Sequence, residues 1–231
     1  SSLVSASVIY VNAAATGANN GTSWANAFTS LQSGLAAAGS GDEIWVVAAT
    51  YKPTTTTDRT ISFVLKNNVG VYGGFNGTET QRSQRNPAVN VTILSGDIGT
   101  PGDPTDNSYH VVTADGTVTV TGVLDGFTIT AGQADSATVP DERGGGMWDN
   151  GGAPTLGNLI FVSNFANFEG GGMRVTSGAP VLTHCTFVAN VVAFNGAGGG
   201  FKSGGGSTVS CTSCSFLSNQ ISGASVGSGG V

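Results

Sequence analysis

The feature that most constrains the fold of this chain is an internal repeat in its C-terminal third. Three segments open on three consecutive glycines followed by an apolar residue, at residues 144–147, 170–173 and 198–201, so the openings lie 26 and 28 residues apart. A further copy of the opening begins at residues 228–231, another 30 residues on. A repeat of this length predicts stacked structural units, each of which buries its apolar face against its neighbours.

Aligning the copies, together with an earlier and less regular one at residues 123–132, places side chains of similar size in columns. The columns are Leu124, Leu156, Leu182 and Cys211; Phe127, Leu159, Cys185 and Cys214; and Ile129, Phe161, Phe187 and Phe216. Polar residues alternate with apolar ones at two-residue spacing, which is typical of strands with one buried face. We therefore expect a β-solenoid in which Phe161, Phe187 and Phe216 form a stack inside the tube.

A fourth column contains residues that suit tight turns, namely Gly132, Asn164, Asn190 and Asn219. Asn and Gly tolerate a left-handed backbone, and stacked Asn amides can form hydrogen bonds from one level to the next. We predict a structural ladder of Asn164, Asn190 and Asn219 rather than a ligand site. The glycine triplets are expected at corners that need a positive φ or a close approach of two backbone segments.

The chain before the repeats has a different pattern. An apolar segment at residues 8–11 predicts a short strand. Phe28, Leu31 and Leu35 then recur at helical spacing, so we expect an amphipathic helix over residues 24–38. Because a solenoid exposes unpaired strand edges at its end, this helix is expected to act as an N-terminal cap.

Composition and charge exclude several classes of protein. The sequence is 39% hydrophobic and 10% charged with a formal net charge of -6, which predicts a packed core rather than a disordered chain. Its basic residues are scattered, so no nucleic-acid partner is expected. The longest apolar run, residues 44–49, is far below the roughly 20 residues of a membrane-spanning helix. A start without Met and many Ser, Thr, Asn and Gly residues favour a secreted protein, extracellular or on the cell surface.

Several motifs resemble those of right-handed parallel β-helix proteins of the pectin-lyase-like superfamily from bacterial surfaces. They are Tyr10-Val11-Asn12, Gly41-Asp42-Glu43-Ile44-Trp45-Val46, Tyr72-Gly73-Gly74-Phe75-Asn76-Gly77 and Asn107-Ser108-Tyr109-His110. The glycine openings and Phe161-Val162-Ser163-Asn164 with its copies are similar to repeats of polymorphic outer-membrane proteins, whose signature they match in part. The resemblance implies the fold and says little about activity, because that fold hosts lyases, hydrolases, adhesins and passive spacers.

The repeats and the resemblance together predict an all-β fold, a right-handed parallel β-helix (β-solenoid) with an N-terminal amphipathic helix cap. We expect one domain over residues 1–231. Residues 1–43 would form the strand and helix cap, residues 44–143 irregular coils with long loops, and residues 144–231 regular repeats of 26–30 residues, the last one incomplete. An open last repeat could pair with another chain, so self-association end to end into a filament or surface layer is expected.

The resemblance also implies an enzyme hypothesis, a lyase that holds Ca²⁺ on a stacked column of carboxylates with a basic residue beside it. The aligned carboxylates do not stack, since Asp125 aligns with Gly157 and Asp149 aligns with Val175. We therefore assign no catalytic residue and favour an extracellular structural or adhesive protein over an enzyme. A polysaccharide lyase or hydrolase, or a carbohydrate-binding module, is the alternative interpretation.

Two further groups of residues are candidate binding sites. Trp148, Arg174 and Lys202 share a column that is expected to point outward, either as a solvated stripe or as a surface that binds a polysaccharide or cell-surface glycan. The loop at residues 97–107 carries several oxygen ligands among turn residues, although it lacks EF-hand spacing. Its candidate Ca²⁺ ligands are Asp97, Asp103, Asp106 and Asn107. An ordinary turn stabilised by Asp side chains is the other interpretation, and no other cofactor is expected.

The histidines and cysteines predict no metal centre. His110 and His184 have no Cys or Asp partner at ligand spacing, so a zinc site is not expected. Cys185 and Cys214 fall in one inward column on neighbouring repeats. Free buried thiols and a disulfide between these two residues are both compatible with that placement.

Overall fold

The computed structural model describes residues 6–193 and 196–222. Residues 1–5, 194–195 and 223–231 lie outside this part of the chain, and the fourth repeat opening predicted at residues 228–231 is among them. The strands before the first glycine triplet are β1 (Val8–Val11), β2 (Glu43–Val47), β3 (Thr50–Tyr51), β4 (Phe63–Val64), β5 (Gly70–Phe75), β6 (Ile93–Ser95), β7 (Val112–Asp115), β8 (Val123–Asp125), β9 (Thr128–Thr130) and β10 (Gln133–Ala134). The strands after it are β11 (Met147–Asn150), β12 (Thr155–Gly157), β13 (Ile160–Val162), β14 (Phe165–Ala166), β15 (Met173–Val175), β16 (Val181–Thr183), β17 (Thr186–Val188), β18 (Val191–Val192), β19 (Phe201–Ser203), β20 (Ser210–Thr212), β21 (Ser215–Leu217) and β22 (Gln220–Ile221).

These strands form four sheets, and every strand pairing within the described residues is parallel. Sheet 1 contains β1, β2, β5, β8, β12, β16 and β20 in spatial order. Sheet 2 contains β3, β6, β9, β13, β17 and β21; sheet 3 contains β4, β7, β11, β15 and β19; sheet 4 contains β10, β14, β18 and β22. The predicted strand-rich, parallel character of the chain is therefore confirmed. Neighbouring strands in each sheet come from successive repeats.

The repeats pair in the register that their sequence alignment gives. Phe161 pairs with Ile129 on one side and with Phe187 on the other, and Phe187 pairs with Phe216. The Phe161 and Phe187 rings are stacked with centroids 4.6 Å apart, and those of Phe187 and Phe216 lie 5.0 Å apart. Phe161 and Phe187 are fully buried. The phenylalanine column is thus a continuous stack through three repeats, on the buried face of sheet 2.

The α-helix, α1 (Leu31–Ala37), is shorter than predicted. Leu31 and Leu35 are buried and belong to the same apolar cluster as the strands, and α1 contacts β1, β2 and β4. The expectation of a helix from residue 24 was wrong, because the apolar residues before Leu31 have other partners. Phe28 forms a parallel bridge with Val11, and the Trp24 indole donates a hydrogen bond to a carbonyl of a distant loop.

Two short 3-10 helices, η1 (Arg82–Gln84) and η2 (Pro104–Asp106), lie in the long loops of the irregular part. Within residues 6–193 and 196–222, no helix has the length and apolar character that crossing a bilayer would require.

Candidate functional site

The asparagine column forms the most extensively hydrogen-bonded feature of the repeats. Asn190 Oδ1 accepts hydrogen bonds from the backbone N–H of Asn164 at 3.1 Å and from its side-chain amide at 3.0 Å. Asn190 Nδ2 donates to the Phe161 carbonyl and to Asn219 Oδ1, both at 2.9 Å. Asn164 and Asn190 are 1% and 0% exposed. Because each buried amide bonds both neighbouring levels, the column holds repeats together and leaves little hydrogen-bonding capacity for a ligand.

The glycine triplets are explained by this ladder and by sheet 4, as the second triplet shows. Gly170 has a φ of 64°, which side-chain-bearing residues rarely adopt. A Cβ on Gly171 would overlap the Val191 carbonyl, and a Cβ on Gly172 would lie 3.1 Å from Asn190 Cγ. The other two triplets repeat the arrangement against their own strands and amides. Each triplet therefore meets one conformational requirement and two packing requirements.

The ladder stops at Gly132 for a steric reason. Gly132 N–H still donates to Asn164 Oδ1 at 3.0 Å, but a Cβ on Gly132 would overlap the Gly145 carbonyl. One level below, Ser108 holds the position equivalent to Gly132. The Gln133 N–H donates to the Ser108 carbonyl, just as the Phe165 N–H of the level above donates to the Gly132 carbonyl. An Asn side chain therefore does not fit at position 132, in the level that adjoins the regular repeats.

The predicted surface stripe is placed differently from expectation. Arg174 pairs in register with Trp148 on one side and Lys202 on the other, so the three residues do share a column. However, Arg174 is only 6% exposed, and its Nε donates to Glu169 Oε2 at 2.8 Å. Trp148 and Lys202 are half-buried. Arg174 therefore does not point into solvent as expected, because Glu169 and the Val175 carbonyl bind its guanidinium. Glycan binding by this column stays a prediction.

The candidate calcium loop uses its carboxylates within the loop itself. Each of its three Asp side chains accepts a backbone N–H: Asp97 from Gly102 at 3.1 Å, Asp103 from Thr105 at 3.0 Å and Asp106 from Thr100 at 2.7 Å. Asp97 also lies 3.8 Å from Lys52 Nζ. Within the described part of the chain, no three Asp, Glu, His or Cys side chains are grouped so that they could hold a metal. Calcium binding by the four predicted residues stays a prediction.

The two histidines lie in different environments. His110 is buried, its Nδ1 donates to the Gly144 carbonyl at 3.0 Å, and its Nε2 lies 3.4 Å from Asp141 Oδ1. The His110 ring also stacks on Trp148. His184 is exposed at a corner between sheets 1 and 2 and has a φ of 53°. His110 therefore packs between two segments, whereas His184 is open to solvent.

The three cysteines are free thiols in the structure. Cys185 is buried, and desolvation raises the pKa of its thiol to about 12. Cys211 is exposed, and Cys214 is half-buried. A thiol with so high a pKa carries almost no thiolate at neutral pH, so Cys185 acts here as a small apolar side chain.

A surface cleft of about 530 Å³ that no sequence pattern predicted lies beside the corner between sheets 1 and 2. One wall is the loop at residues 82–88, and the other carries Asn158, Ile160, His184 and Thr186. Arg85 in the loop is fixed by Asp125, whose Oδ1 lies 2.6 Å from its Nη2. The cleft thus combines guanidinium, imidazole and amide groups with an exposed apolar side chain. Its loop occurs once in the chain, so no column in the alignment could reveal it.

A second missed residue is a buried carboxylate. Asp149 is 0% exposed, and its Oδ1 accepts a hydrogen bond from the Gly152 N–H at 2.7 Å. Its Oδ2 has no hydrogen-bond partner among residues 6–193 and 196–222. Desolvation raises the pKa of Asp149 to about 6, and the nearby charge of Asp115 adds to the shift. The Asp149 side chain thus binds the turn at Gly152, and its carboxyl group ionises close to neutral pH.

Comparisons of the chain with protein-family models, with curated proteins and with solved structures each found no match.

Proposed function

We propose that this chain is a right-handed parallel β-helix covered on its N-terminal side by α1, and that it acts outside the cell or on its surface as a structural or adhesive element. The observation that carries this proposal is the asparagine ladder. Its amides repeat the same buried bonds from level to level, beside a phenylalanine column in matching register. Such an arrangement stabilises an elongated scaffold without any need for a new core at each level.

The order of the strands along the chain supports this winding. In each repeat the chain passes through sheets 3, 1, 2 and 4 in turn before it enters sheet 3 again. The position of α1 supports the cap, since it packs against β1 and β2, the first two strands of sheet 1. Apolar side chains of α1 cover the part of the core that lies beside these strands.

The charged side chains near the repeats support a cohesive rather than a catalytic role. Glu169 Oε2 lies 2.8 Å from Arg174 Nε and 3.4 Å from Arg143 Nη1. Asp125 is held by Arg85 and also accepts hydrogen bonds from Asn158. The oxygens of these carboxylates are occupied by guanidinium and amide donors, which favours a role in holding segments of the chain together.

Self-association is a further part of the proposal. Strands β19, β20, β21 and β22 each lie at one margin of their sheets, and Leu217 in β21 is 54% exposed. A strand margin can pair with another strand, either from a second copy or from a further segment of the same chain. Light scattering over a range of concentrations tests this part. Particles heavier than the 22.9 kDa monomer are expected, and a monomer at every concentration would contradict self-association.

The main proposal is tested by location and by activity together. Protease treatment of intact source cells is expected to degrade the protein while cytoplasmic markers survive. Incubation of the purified protein with acidic polysaccharides, with and without Ca²⁺, is expected to release no new chain ends. Protection of the protein inside the cell would overturn the proposed location, and steady release of oligosaccharides would overturn the non-catalytic role.

The cleft favours a second candidate function, carbohydrate binding. Arg82 is 45% exposed at its side chain and lies over the Tyr72 ring, and Asn158 and His184 face the same cleft. Hydroxyl and carboxylate groups of a polysaccharide are suitable partners for these side chains. Binding of acidic oligosaccharides measured by calorimetry should weaken in Arg82→Ala and persist in Lys52→Ala, which changes a cation outside the cleft. Equal binding by both variants would remove this candidate.

A further inference from the structure

Asn-Gly pairs are chemically labile, because a glycine has no Cβ and its backbone nitrogen can approach the side-chain amide of the preceding asparagine. Attack by that nitrogen releases ammonia and converts the asparagine into an acid. The chain contains such pairs at residues 20–21, 76–77, 150–151 and 195–196. Asn195 lies outside the described residues, and the asparagines of the other three pairs are all exposed to solvent. Exposure therefore does not distinguish these three pairs, whereas their hydrogen bonds do.

The pair Asn76-Gly77 is held by a buried carboxylate. The Gly77 N–H donates to Glu79 Oε2 at 3.0 Å, and Glu79 is 7% exposed. Asn76 Oδ1 accepts the Thr78 N–H at 2.9 Å, so the side-chain amide is fixed as well. The Gly77 nitrogen can attack only after a charge-assisted hydrogen bond has broken, which should slow the reaction by about 10–100-fold.

The pair Asn20-Gly21 is held by hydrogen bonds between neutral groups. The Gly21 N–H donates to the Asn26 carbonyl at 2.9 Å. Asn20 Oδ1 accepts hydrogen bonds from the Thr22 N–H at 3.2 Å and from the Thr22 hydroxyl at 2.8 Å. Because such bonds are weaker than those to a charged group, deamidation here should be slowed less, by about five- to tenfold.

The pair Asn150-Gly151 has none of these restraints. Among residues 6–193 and 196–222, neither the Gly151 N–H nor the Asn150 side-chain amide has a hydrogen-bond partner. Asn150 is the last residue of β11, and Gly151 follows it with a φ of 92°. The strand ladder thus ends before the nitrogen that has to attack, and this nitrogen can turn toward the side chain without the loss of a bond.

We propose that Asn150 is a site of deamidation in the folded protein, and that the fold protects Asn20 and Asn76. Water or hydroxide removes the Gly151 N–H proton, and the nitrogen forms a bond to Asn150 Cγ. The Cγ–Nδ2 bond breaks, and its nitrogen takes up a proton from water and leaves as ammonia. Water then opens the resulting succinimide ring at one of its two C–N bonds, which gives either aspartate or isoaspartate.

The product would change a corner that already carries two carboxylates. Asp115 lies opposite Asn150 on the neighbouring strand, and Asp149, which precedes it, is buried. A further negative charge is unfavourable here, because like charges on paired strands repel. Isoaspartate also lengthens the backbone between Asp149 and Gly152, whose N–H donates to Asp149 Oδ1 at 2.7 Å. The modified protein should therefore be less stable, whatever the function of the scaffold.

Peptide mapping by mass spectrometry tests the site with internal controls. The full chain is incubated at about pH 8, once folded and once unfolded in guanidinium chloride, and fragment masses locate each converted asparagine. In the unfolded protein the three pairs should react at similar rates, because none keeps its hydrogen bonds. In the folded protein Asn150 should react at least about five times faster than Asn20 and at least about ten times faster than Asn76. A folded-state rate at Asn150 no higher than at the other two would overturn the proposal.

Two variants connect the modification to stability. Asn150→Gln keeps an amide but reacts slowly, because its longer side chain has to close a larger ring. After prolonged incubation the thermal midpoint of the wild type should fall, whereas that of Asn150→Gln should stay at its fresh value. Asn76→Gln is the matched control and should lose as much on incubation as the wild type does. An equal loss in the wild type and in Asn150→Gln would show that the labile site lies elsewhere.

Discussion

The regular repeats after residue 143 and the irregular part before them connect neighbouring levels by different means. In the repeats, one residue type at one position does so, because Asn164 and Asn190 each bond the backbone of the level below and the amide of the level above. In the irregular part the same position holds Gly132 or Ser108, and neither residue has a side-chain amide. The side-chain connection between levels recurs with the sequence in the repeats, whereas residues at other positions must connect the levels of the irregular part.

Long side chains from loops supply the bonds between levels in the irregular part. Arg59 donates to the carbonyls of Asn107 and Gln133, at 2.6 and 3.0 Å, and pairs with Asp135. Arg85 donates to the Gly73 carbonyl at 3.0 Å and pairs with Asp125. Short, identical side chains suffice to connect levels that are equivalent. Where levels differ in shape, longer side chains bridge them.

The largest expected effect lies in the ladder. Asn190→Ala leaves the Asn164 N–H and the Phe161 carbonyl without their buried side-chain partner and also removes the bonds of Asn190 to the Asn164 and Asn219 amides. The free energy of unfolding should therefore fall by about 3–5 kcal/mol. Urea denaturation measures this change. Asn150→Ala is the control, since Asn150 is exposed, and should change stability by no more than about 0.5 kcal/mol. Similar values for the two variants would show that the ladder does not hold the repeats together.

The second prediction contrasts a glycine from each region. A Cβ on Gly172 would overlap the Gly200 carbonyl, whereas a Cβ on Gly116 would meet its nearest atom, the Gly151 carbonyl oxygen, at 3.7 Å. Gly172→Ala should therefore lower the free energy of unfolding by about 3 kcal/mol. Gly116→Ala should change it by less than about 1 kcal/mol, since no neighbour has to move. An unchanged free energy of unfolding in Gly172→Ala would contradict the close packing of the glycine triplet against the asparagine ladder.

The third prediction concerns the pH dependence of stability and Asp149. Burial raises its pKa in the folded protein to about 6, above the usual value of 3.8. As the pH rises from about 4 to about 6, the unfolded chain loses this proton first, so the folded state loses stability over that range. Asp149→Asn keeps an acceptor for the Gly152 N–H and carries no charge. It should exceed the wild type in stability by about 2–3 kcal/mol at pH 8 and match it near pH 4.

Thermal and urea unfolding of both proteins between pH 4 and pH 8 measure that difference. The other carboxylates are common to both proteins, so their contributions cancel in the difference in stability. A constant difference across this range would show that Asp149 titrates normally in the folded protein.

The smallest effect is expected in the irregular part. Arg85→Ala removes bonds to the Gly73 carbonyl and to Asp125, and its side chain is 16% exposed, so stability should fall by about 1–2 kcal/mol. Lys52→Ala removes a contact of 3.8 Å to Asp97 at a side chain that is 35% exposed, and should cost less than about 0.5 kcal/mol. Equal effects would show that Arg85 is no bridge between levels.

The part of the fold that the sequence predicts well is the part where one contact recurs. Phe161, Phe187 and Phe216 lie in one column of the alignment and pair in that register, because equivalent levels place equivalent residues opposite each other. The glycine triplets were expected at corners, but only the first glycine of each has a positive φ. The packing reasons for the other two glycines required the positions of the ladder amides and of sheet 4.

Sequence patterns failed where a residue binds a distant partner. Trp24 and Phe28 stand at helical spacing, yet they bind Glu79 and Val11 instead of extending α1. Arg174 aligns with an outward column, but its charge is neutralised by Glu169, and this pairing depends on how the glycine corner folds. The cleft beside residues 82–88 lies at a segment that occurs once, so no column marks it.

The stacking of successive levels is tested most directly by nuclear Overhauser effects between phenylalanine rings. In deuterated protein with protonated Phe rings, cross-peaks should join Phe161 to Phe187 and Phe187 to Phe216, whose centroids lie 4.6 and 5.0 Å apart. No cross-peak should join Phe161 to Phe216, since the Phe187 ring lies between them. A direct Phe161–Phe216 cross-peak, or the absence of both expected ones, would contradict the in-register stack on which the account depends.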